Sequence, residues 1–367
     1  MDRDELAAWL RLIETPQVGR ESARKLLAAF GSAEAVLAAP TAARKEVVSS
    51  TTASALDKVP DEVAARIEAT VQWLAGSTDE APRQVLTLGD PDYPQGLLET
   101  ADPPLLLYLQ GQAVLLARPG LAVVGSRNPT AQGTENAKAF STHLSQAGLT
   151  IVSGLAMGVD GAAHEGGLSG AGSTIAVVGT GLDRVYPRRH LELAHRISAR
   201  GLIVSEYSLG TPPLPPNFPQ RNRIIAALTR GTLVVEAALQ SGSLITARLA
   251  SEAGRDVFAI PGSIHSPHSR GCHALIKQGA KLVDCAQDVL DELAWGAPLN
   301  QQSPADPVAT QDDPVLDALG YDPTNLDALV GRTGWPAPEL SAHLLELELA
   351  GKVARLPGQL FQRVGAG

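Results

Sequence analysis

Residues 121–154 read LAVVGSRNPTAQGTENAKAFSTHLSQAGLTIVSG. An apolar run at 121–124 gives way to Gly125-Ser126-Arg127-Asn128-Pro129-Thr130. A stretch with helical periodicity follows at 131–147, and a second apolar run at 149–152 again ends in small residues, Ser153-Gly154. Two short apolar runs joined by a helix-length segment are the pattern of a βαβ unit, because parallel neighbours need a crossover of about a dozen residues or more. The pattern repeats. Further apolar runs lie at 174–178, 202–204, 232–235, 256–260 and 281–283, and helical patterns at 158–169, 189–199, 221–229, 243–253, 272–279 and 286–294 fill most of the gaps. Continuous apolar runs, rather than alternating ones, suit strands covered on both faces. The expected fold is α/β: an extended Rossmann-like, doubly wound parallel sheet of seven strands over 121–295.

Outward from this core the patterning changes. Residues 1–75 read as short helices, with Leu6, Trp9, Leu10 and Ile13 at helical spacing and a Thr15-Pro16-Gln17-Val18-Gly19 loop before the next amphipathic stretch. A helix-hairpin-helix or SAM-like domain is expected there, able to place backbone N–H groups on a phosphate or simply to pack as a bundle. Residues 76–120 are rich in Pro and Gly and contain one apolar run, Leu105–Leu109, which predicts a connector contributing an edge strand or two. Residues 296–312 are polar and Pro-containing, and read as a linker. Residues 313–367 show three helical patterns and then two strand-like pieces, Lys352–Leu356 and Gln359–Arg363, around Pro357-Gly358. That order predicts a winged-helix-like domain.

The formal net charge is −9 over 367 residues, which argues against a protein that coats nucleic acid with its whole surface. The distribution is uneven. Residues 1–120 carry 11 basic and 17 acidic side chains, residues 121–285 carry 15 and 10, and residues 286–367 carry 4 and 12. A basic middle between acidic ends suits an anion-binding core, and the acidic last module is a poor candidate for a DNA groove, so protein contact is preferred for it. No window approaches the ~18 consecutive apolar residues of a membrane span. The acidic, amphipathic N-terminus lacks the features of a signal peptide. Two cysteines, Cys272 and Cys285, exclude a disulfide scaffold and a four-thiolate zinc site. The expectation is a cytoplasmic protein with reduced thiols.

Ligands of open α/β sheets sit beyond the carboxyl ends of the strands. Those ends are followed here by Gly125-Ser126-Arg127, by Ser153-Gly154 through Gly158, by Gly179-Thr180-Gly181 and then Tyr186-Pro187-Arg188-Arg189, by Ser205-Glu206, by Glu236 through Ser241-Gly242-Ser243, and by Pro261-Gly262-Ser263. Small residues let backbone N–H groups approach an extended polyanion. Neither GxGxxG after the first strand nor GxxxxGK[ST] is present, which disfavours the usual dinucleotide and ATP sites. Arg127, Arg188, Arg189, Arg221, Asn222 and Arg223 supply the polar and cationic groups, with Phe218 and Tyr186 beside them. Cations that follow a backbone, interleaved with rings that receive bases, describe a single-strand groove. The alternative is that Arg221 and Arg223 pair with Glu206 and Glu236 and merely hold the strand tips. No G-x-S-x-G elbow surrounds Ser126, Ser153 or Ser243, and His164 reads as a structural histidine. His265, His268, Cys272 and His273 match no usual zinc spacing, so no metal or cofactor is expected.

VVGSRNPTAQG, IVSGLAMGVDGAAHEGGL, IAVVGTGLDRVYPRRH, FPQRNRIIAAL, VVEAALQSGSLITARLASEAGRDVFAIPGS and GCHALIKQGAKL together resemble the DNA-processing protein A family (DprA, also called Smf), in unbroken order over about 121–285. The resemblance implies a homodimeric, non-enzymatic protein that binds single-stranded DNA. It further implies loading of the RecA recombinase onto incoming DNA in natural transformation, with displacement of single-strand-binding protein. Carried over by position, the DNA site would contain Ser126, Arg127, Gly154, Phe218, Arg221 and Arg223, with Arg188 or Arg189 nearby. Gly125, Gly158, Tyr186, Asn222 and Ser243 join it from the strand-end reading. Some family members carry a lysine before the aromatic; Pro215 and Pro216 stand here. The family's dimer surface would fall on His273, Ile276 and Leu282. The rival reading is a nucleotide-processing Rossmann enzyme akin to nucleoside monophosphate hydrolases, for which Glu206 and Glu236 are the only fair carboxylates.

Overall fold

Alternate residues of a strand face opposite sides of a sheet, and both sides are apolar here. Leu121 and Val123 join a buried cluster with Phe140, Leu144, Ile151, Leu233 and Phe258. Ala122 and Val124 join another with Val152, Val177, Val204, Ile224 and Val234. The computed structural model describes residues 1–295, 313–320 and 322–364; the linker expected at 296–312 lies outside the described residues.

Six helices open the chain: α1 (Arg3–Glu14), α2 (Arg20–Phe30), α3 (Ala33–Ala38), α4 (Thr41–Lys45), α5 (Ser50–Ala55) and α6 (Val63–Ala75). Asp2 caps α1 by accepting from the N–H groups of Asp4 and Glu5 at 2.9 Å each. The connector then adds two strands, β1 (Arg83–Thr87) and β2 (Leu106–Gly111), with α7 (Gln95–Leu98) between them. The core follows as β3 (Gly120–Val124), α8 (Ala131–Gln146), β4 (Thr150–Ser153), α9 (Val159–Gly167), β5 (Thr174–Val177), α10 (Leu191–Arg200), β6 (Leu202–Ser205), α11 (Asn217–Ala227), β7 (Gly231–Val234), α12 (Ser243–Glu252), β8 (Asp256–Ala259), α13 (Arg270–Lys277), β9 (Lys281–Leu282) and α14 (Ala286–Glu292).

All seven expected core strands form, and they are parallel in the order β6-β5-β4-β3-β7-β8-β9. β2 pairs antiparallel with β6, and β1 with β2, so the connector extends the sheet to nine strands. The strand order reverses between β3 and β7, which places a crevice at their carboxyl ends. Leu105, Leu106 and Tyr108 pack with Leu6, Trp9, Leu10 and Leu26, so the N-terminal helices cover the β2 end of the sheet.

One core helix differs from expectation. α11 begins at Asn217 rather than 221. Pro219 falls in its first turn, where a missing N–H costs nothing, so the proline does not delay the helix.

The C-terminal module contains α15 (Pro314–Leu319), β10 (Thr324–Asn325), α16 (Leu326–Thr333), α17 (Ala337–Leu349), β11 (Val353–Leu356) and β12 (Leu360–Arg363), with a three-stranded antiparallel sheet in the order β10-β12-β11. Val315, Leu329, Leu340, Leu344 and Phe361 form its core. This is the winged-helix arrangement; β10, only two residues long, has no period to read in the sequence. No helix among the described residues is long and apolar enough to cross a membrane.

Candidate nucleic-acid interface

The crevice at the β3/β7 reversal is a pocket of about 400 Å3. Gly125 and Arg127 come from the β3 tip, Ala156 and Asp160 from the β4 tip and α9, Phe218, Arg221 and Asn222 from α11, and Gly242 and Ser243 from the start of α12. The helical period explains the α11 contribution. Positions 218, 221, 222 and 225 recur at three- and four-residue spacing and so share a face.

The β4 tip is held by a carboxylate. Asp160 accepts from the N–H groups of Gly154 at 3.1 Å and Ala156 at 3.2 Å. Arg221 lies over this turn, its Nη2 3.9 Å from Asp160, and it donates to the Val177 carbonyl. A β-carbon on Gly154 would collide with the guanidinium, so only glycine admits Arg221 here. Burial lowers the Arg221 pKa, Asp160 opposes that, and Arg127 adds to it. Its Nε is buried without a hydrogen-bond partner. A buried guanidinium with so distant a counterion keeps the pocket floor positive.

Arg127 forms no ion pair among the described residues. Its guanidinium sits 5.8 Å from the centre of the Phe218 ring, and Tyr186, half exposed, lies 5.5 Å from the same ring. Ser126 accepts from the Asn128 N–H at 3.1 Å and so shapes the turn. Gly158, at φ +81°, closes against the Ser126 and Arg127 backbone. Ser243 opens α12 with its hydroxyl 2.7 Å from that of Ser241. Arg188 and Arg189 lie on the exposed turn before α10, with no carboxylate partner among the described residues.

Arg223 stands elsewhere. Two residues after Arg221, it points about 200° away around the helix. It pairs with Glu206 and lies 3.4 Å from Asp102, while Arg20 of α2 reaches the same two carboxylates at 3.1 and 2.8 Å. Burial works against ionisation of Asp102, yet the hydrogen bond from Arg24 and the charges of Arg20 and Arg223 hold its carboxyl below the usual range. Of the structural alternative, the expected pairing with Glu206 is therefore found for Arg223, whereas Arg221 instead donates to the Val177 carbonyl and faces Asp160. The Glu236 half of that alternative is corrected: its carboxylate accepts from the Thr130 N–H and hydroxyl at the start of α8. Both carboxylates a hydrolase would need are thus engaged in structure.

His164 is buried, with Nδ1 2.7 Å from the Thr174 hydroxyl and Nε2 accepting from the Leu155 N–H at 3.2 Å. Cys272 packs under the sheet, and burial pushes its thiol up to about 12. Asp284, Cys285 and Asp288 are the one group of potential metal ligands among the described residues; the Asp288 carboxylate accepts from the backbone N–H of Asp284 at 3.0 Å and of Cys285 at 3.4 Å, capping α14. His273 lies on α13 with Nε2 3.0 Å from the Gly262 carbonyl, Ile276 packs partly against the sheet, and Leu282 is 48% exposed on β9.

Sequence reasoning missed Asp160 as the organiser of the β4 tip, and Asn217, whose side-chain amide donates to the Gly179 carbonyl at 3.0 Å and ties α11 to the β5 tip. The signal for Asp160 was a carboxylate in the first turn of α9, four to six residues after a glycine-containing turn whose N–H groups it can reach back to cap.

The family described as DNA recombination-mediator protein A matches residues 84–294. The DprA winged helix domain matches 300–359, and the DprA-like N-terminal HHH domain matches 3–65. Protein Smf of Escherichia coli K12 is 45% identical over 302 residues, covering 80% of this chain and 79% of its own. The X-ray structure of DNA processing protein A from Streptococcus pneumoniae superposes with a TM-score of 0.68 at 37% identity, over 80% of this chain and 98% of that one. The Helicobacter pylori protein, whose structure concerns a single-stranded DNA binding mode, gives 0.53 at 32% identity, over 57% and 96%. Matched in its sheet and in both flanking modules, the chain belongs to the DprA/Smf family.

Proposed function

We propose that the protein binds single-stranded DNA at the β3/β7 crevice and acts there as a recombination mediator. The observation that carries this reading is Arg127: a guanidinium with no ion pair among the described residues, set against the Phe218–Tyr186 rings at the mouth of a pocket whose floor holds Arg221. A phosphate meets charge there and a base meets a ring, which is the chemistry of sequence-tolerant single-strand binding. Arg188 and Arg189 extend the cationic rim; Arg223 is left out of the site. The rest follows family membership: loading RecA onto incoming strands in natural transformation, protecting them, and displacing single-strand-binding protein. A homodimer, through the surface of His273, Ile276 and Leu282, and a cytoplasmic location belong to the same reading.

Labelled single strand, duplex of equal length and free nucleotides, titrated at about 50 and 200 mM salt, test it. Single strand is expected to bind best, with affinity falling steeply as salt rises. Equal duplex binding, or a flat salt response, would remove the arginine-and-ring site from the account.

A further inference from the structure

Beyond the Gly158 turn lies a second cavity of about 470 Å3, similar in size to the pocket. Gly158 lines the second cavity, and a β-carbon on it would lie 2.8 Å from the Arg127 carbonyl carbon and 2.6 Å from Pro129 Cδ. The backbone of the principal pocket cation thus packs against a residue that lines the next cavity.

Two cations face this second space without carboxylate partners among the described residues: exposed Lys138 from α8, and Arg189 from the turn before α10. Glu165 of α9 is already held by Arg196 through two hydrogen bonds of 2.8 and 2.7 Å. The remaining acid is Glu192. Three cations against two carboxylates leave the lining positive, and the positive charge that is not balanced locally sits on Lys138 and Arg189.

We propose that this cavity is a second phosphate-binding basin, engaged by the same single strand as it leaves the pocket over Gly158. The inference rests on the single-strand reading of the pocket. Its new element is Lys138, a compact point charge that attracts a phosphate without reading a base. The strand then occupies two basins in series, and the site is longer than the crevice alone.

The full-length protein is titrated with labelled oligothymidylates of about five and about twenty nucleotides, one near the lower end of the site sizes of single-strand grooves (~4–16 nucleotides) and one beyond the upper end. The wild type should bind the long strand more tightly and with a steeper salt dependence. In Lys138→Ala, affinity for the short strand should be unchanged, while affinity for the long strand should fall about threefold to tenfold. The long strand's salt slope should also become shallower by about 0.7, the value of one phosphate contact on single strands. Lys138→Glu should enlarge the loss, and Glu192→Gln should raise long-strand affinity. Lys138 is exposed, so unchanged thermal unfolding is expected and checks the fold. Wild-type behaviour of Lys138→Glu on both lengths would overturn the basin and leave the pocket standing. Equal losses on both lengths would also overturn it, because Lys138 would then serve the pocket itself. Failure of the wild type to bind either length would overturn the pocket and the basin together.

Discussion

Arg127 and Arg223 are the same residue type, and their surroundings give them different jobs. Arg127 sits over the Phe218 ring with no carboxylate partner among the described residues, so its charge is available to an incoming phosphate. Arg127→Ala should weaken single-strand binding by about 1–3 kcal/mol, the scale of a charge-assisted hydrogen bond, with little change in stability. Arg223 holds two carboxylates between α2, α11 and the connector. Removing it leaves Glu206, 4% exposed at its side chain, short of a partner. Arg223→Ala should therefore cost about 3 kcal/mol or more of folding stability, as for other broken buried pairs. Chemical denaturation and DNA titration of both variants separate the two roles. A fully stable Arg223→Ala that fails to bind would return Arg223 to the site.

The turn between β4 and α9 shows how elements fix a tip. Leu155 sits at φ +59°, a costly conformation for a side-chain-bearing residue. Its N–H donates to His164 and its carbonyl lies 3.0 Å from His190 Nδ1. Thr174 donates its hydroxyl to the Ile151 carbonyl, so it accepts from His164 Nδ1–H, and Nε2 is left as the acceptor. The ring is neutral: burial first, then His190 and Arg221, push its pKa down to about 3 from 6.5. The unfolded chain takes up the proton below pH 6.5 and the native fold does not. Stability is therefore lost as pH falls from 6.5 towards 3, by up to about 1.4 kcal/mol per unit. Denaturation at pH 7 and pH 5 checks this: the stability gap between wild type and His164→Asn should narrow at pH 5, and a constant gap would contradict a buried neutral ring. The elements themselves were largely legible. Parallel strands covered on both faces leave continuous apolar runs, as the inner strands β3 to β7 do, whereas the exposed two-residue β9 does not. The site was legible as a set of residue types and not as a geometry. Moving the start of α11 by four residues does not change its period, but sequence alone does not say which side meets the sheet tips. Hence Arg221, Asn222 and Arg223 read as one group, although the helix turns Arg223 to the acidic side.

At the scale of the molecule, charge is sorted along the chain, and so are the edges of the sheet. α17 carries Glu339, Glu346 and Glu348 with no Lys or Arg and exposes Leu345 and Leu349. Phosphate would repel such a helix, so the basic middle alone suits a nucleic acid. The two sheet edges are treated unequally. N-terminal helices pack on the strand beside the β1 edge. At the other edge β9 is two residues long, both exposed, with Lys281 bridged to Glu292 at 2.7 Å and Leu282 nearly half in solvent. Short, charged edge strands are a common defence against unwanted pairing. An exposed leucine beside the charge works against that defence and suits a partner surface. Ile276 packs partly into the core, so a charge there would disturb folding as well as association. Leu282 is the cleaner test of the proposed homodimer. Wild-type protein should run as a dimer in light scattering, and Leu282→Arg as a monomer with an unchanged unfolding midpoint, because an unpaired guanidinium buried at an apolar contact costs several kcal/mol. Short oligonucleotides should bind the monomer as they bind the dimer, since the crevice is built within one chain. A Leu282→Arg protein that remains dimeric would move the interface off this edge.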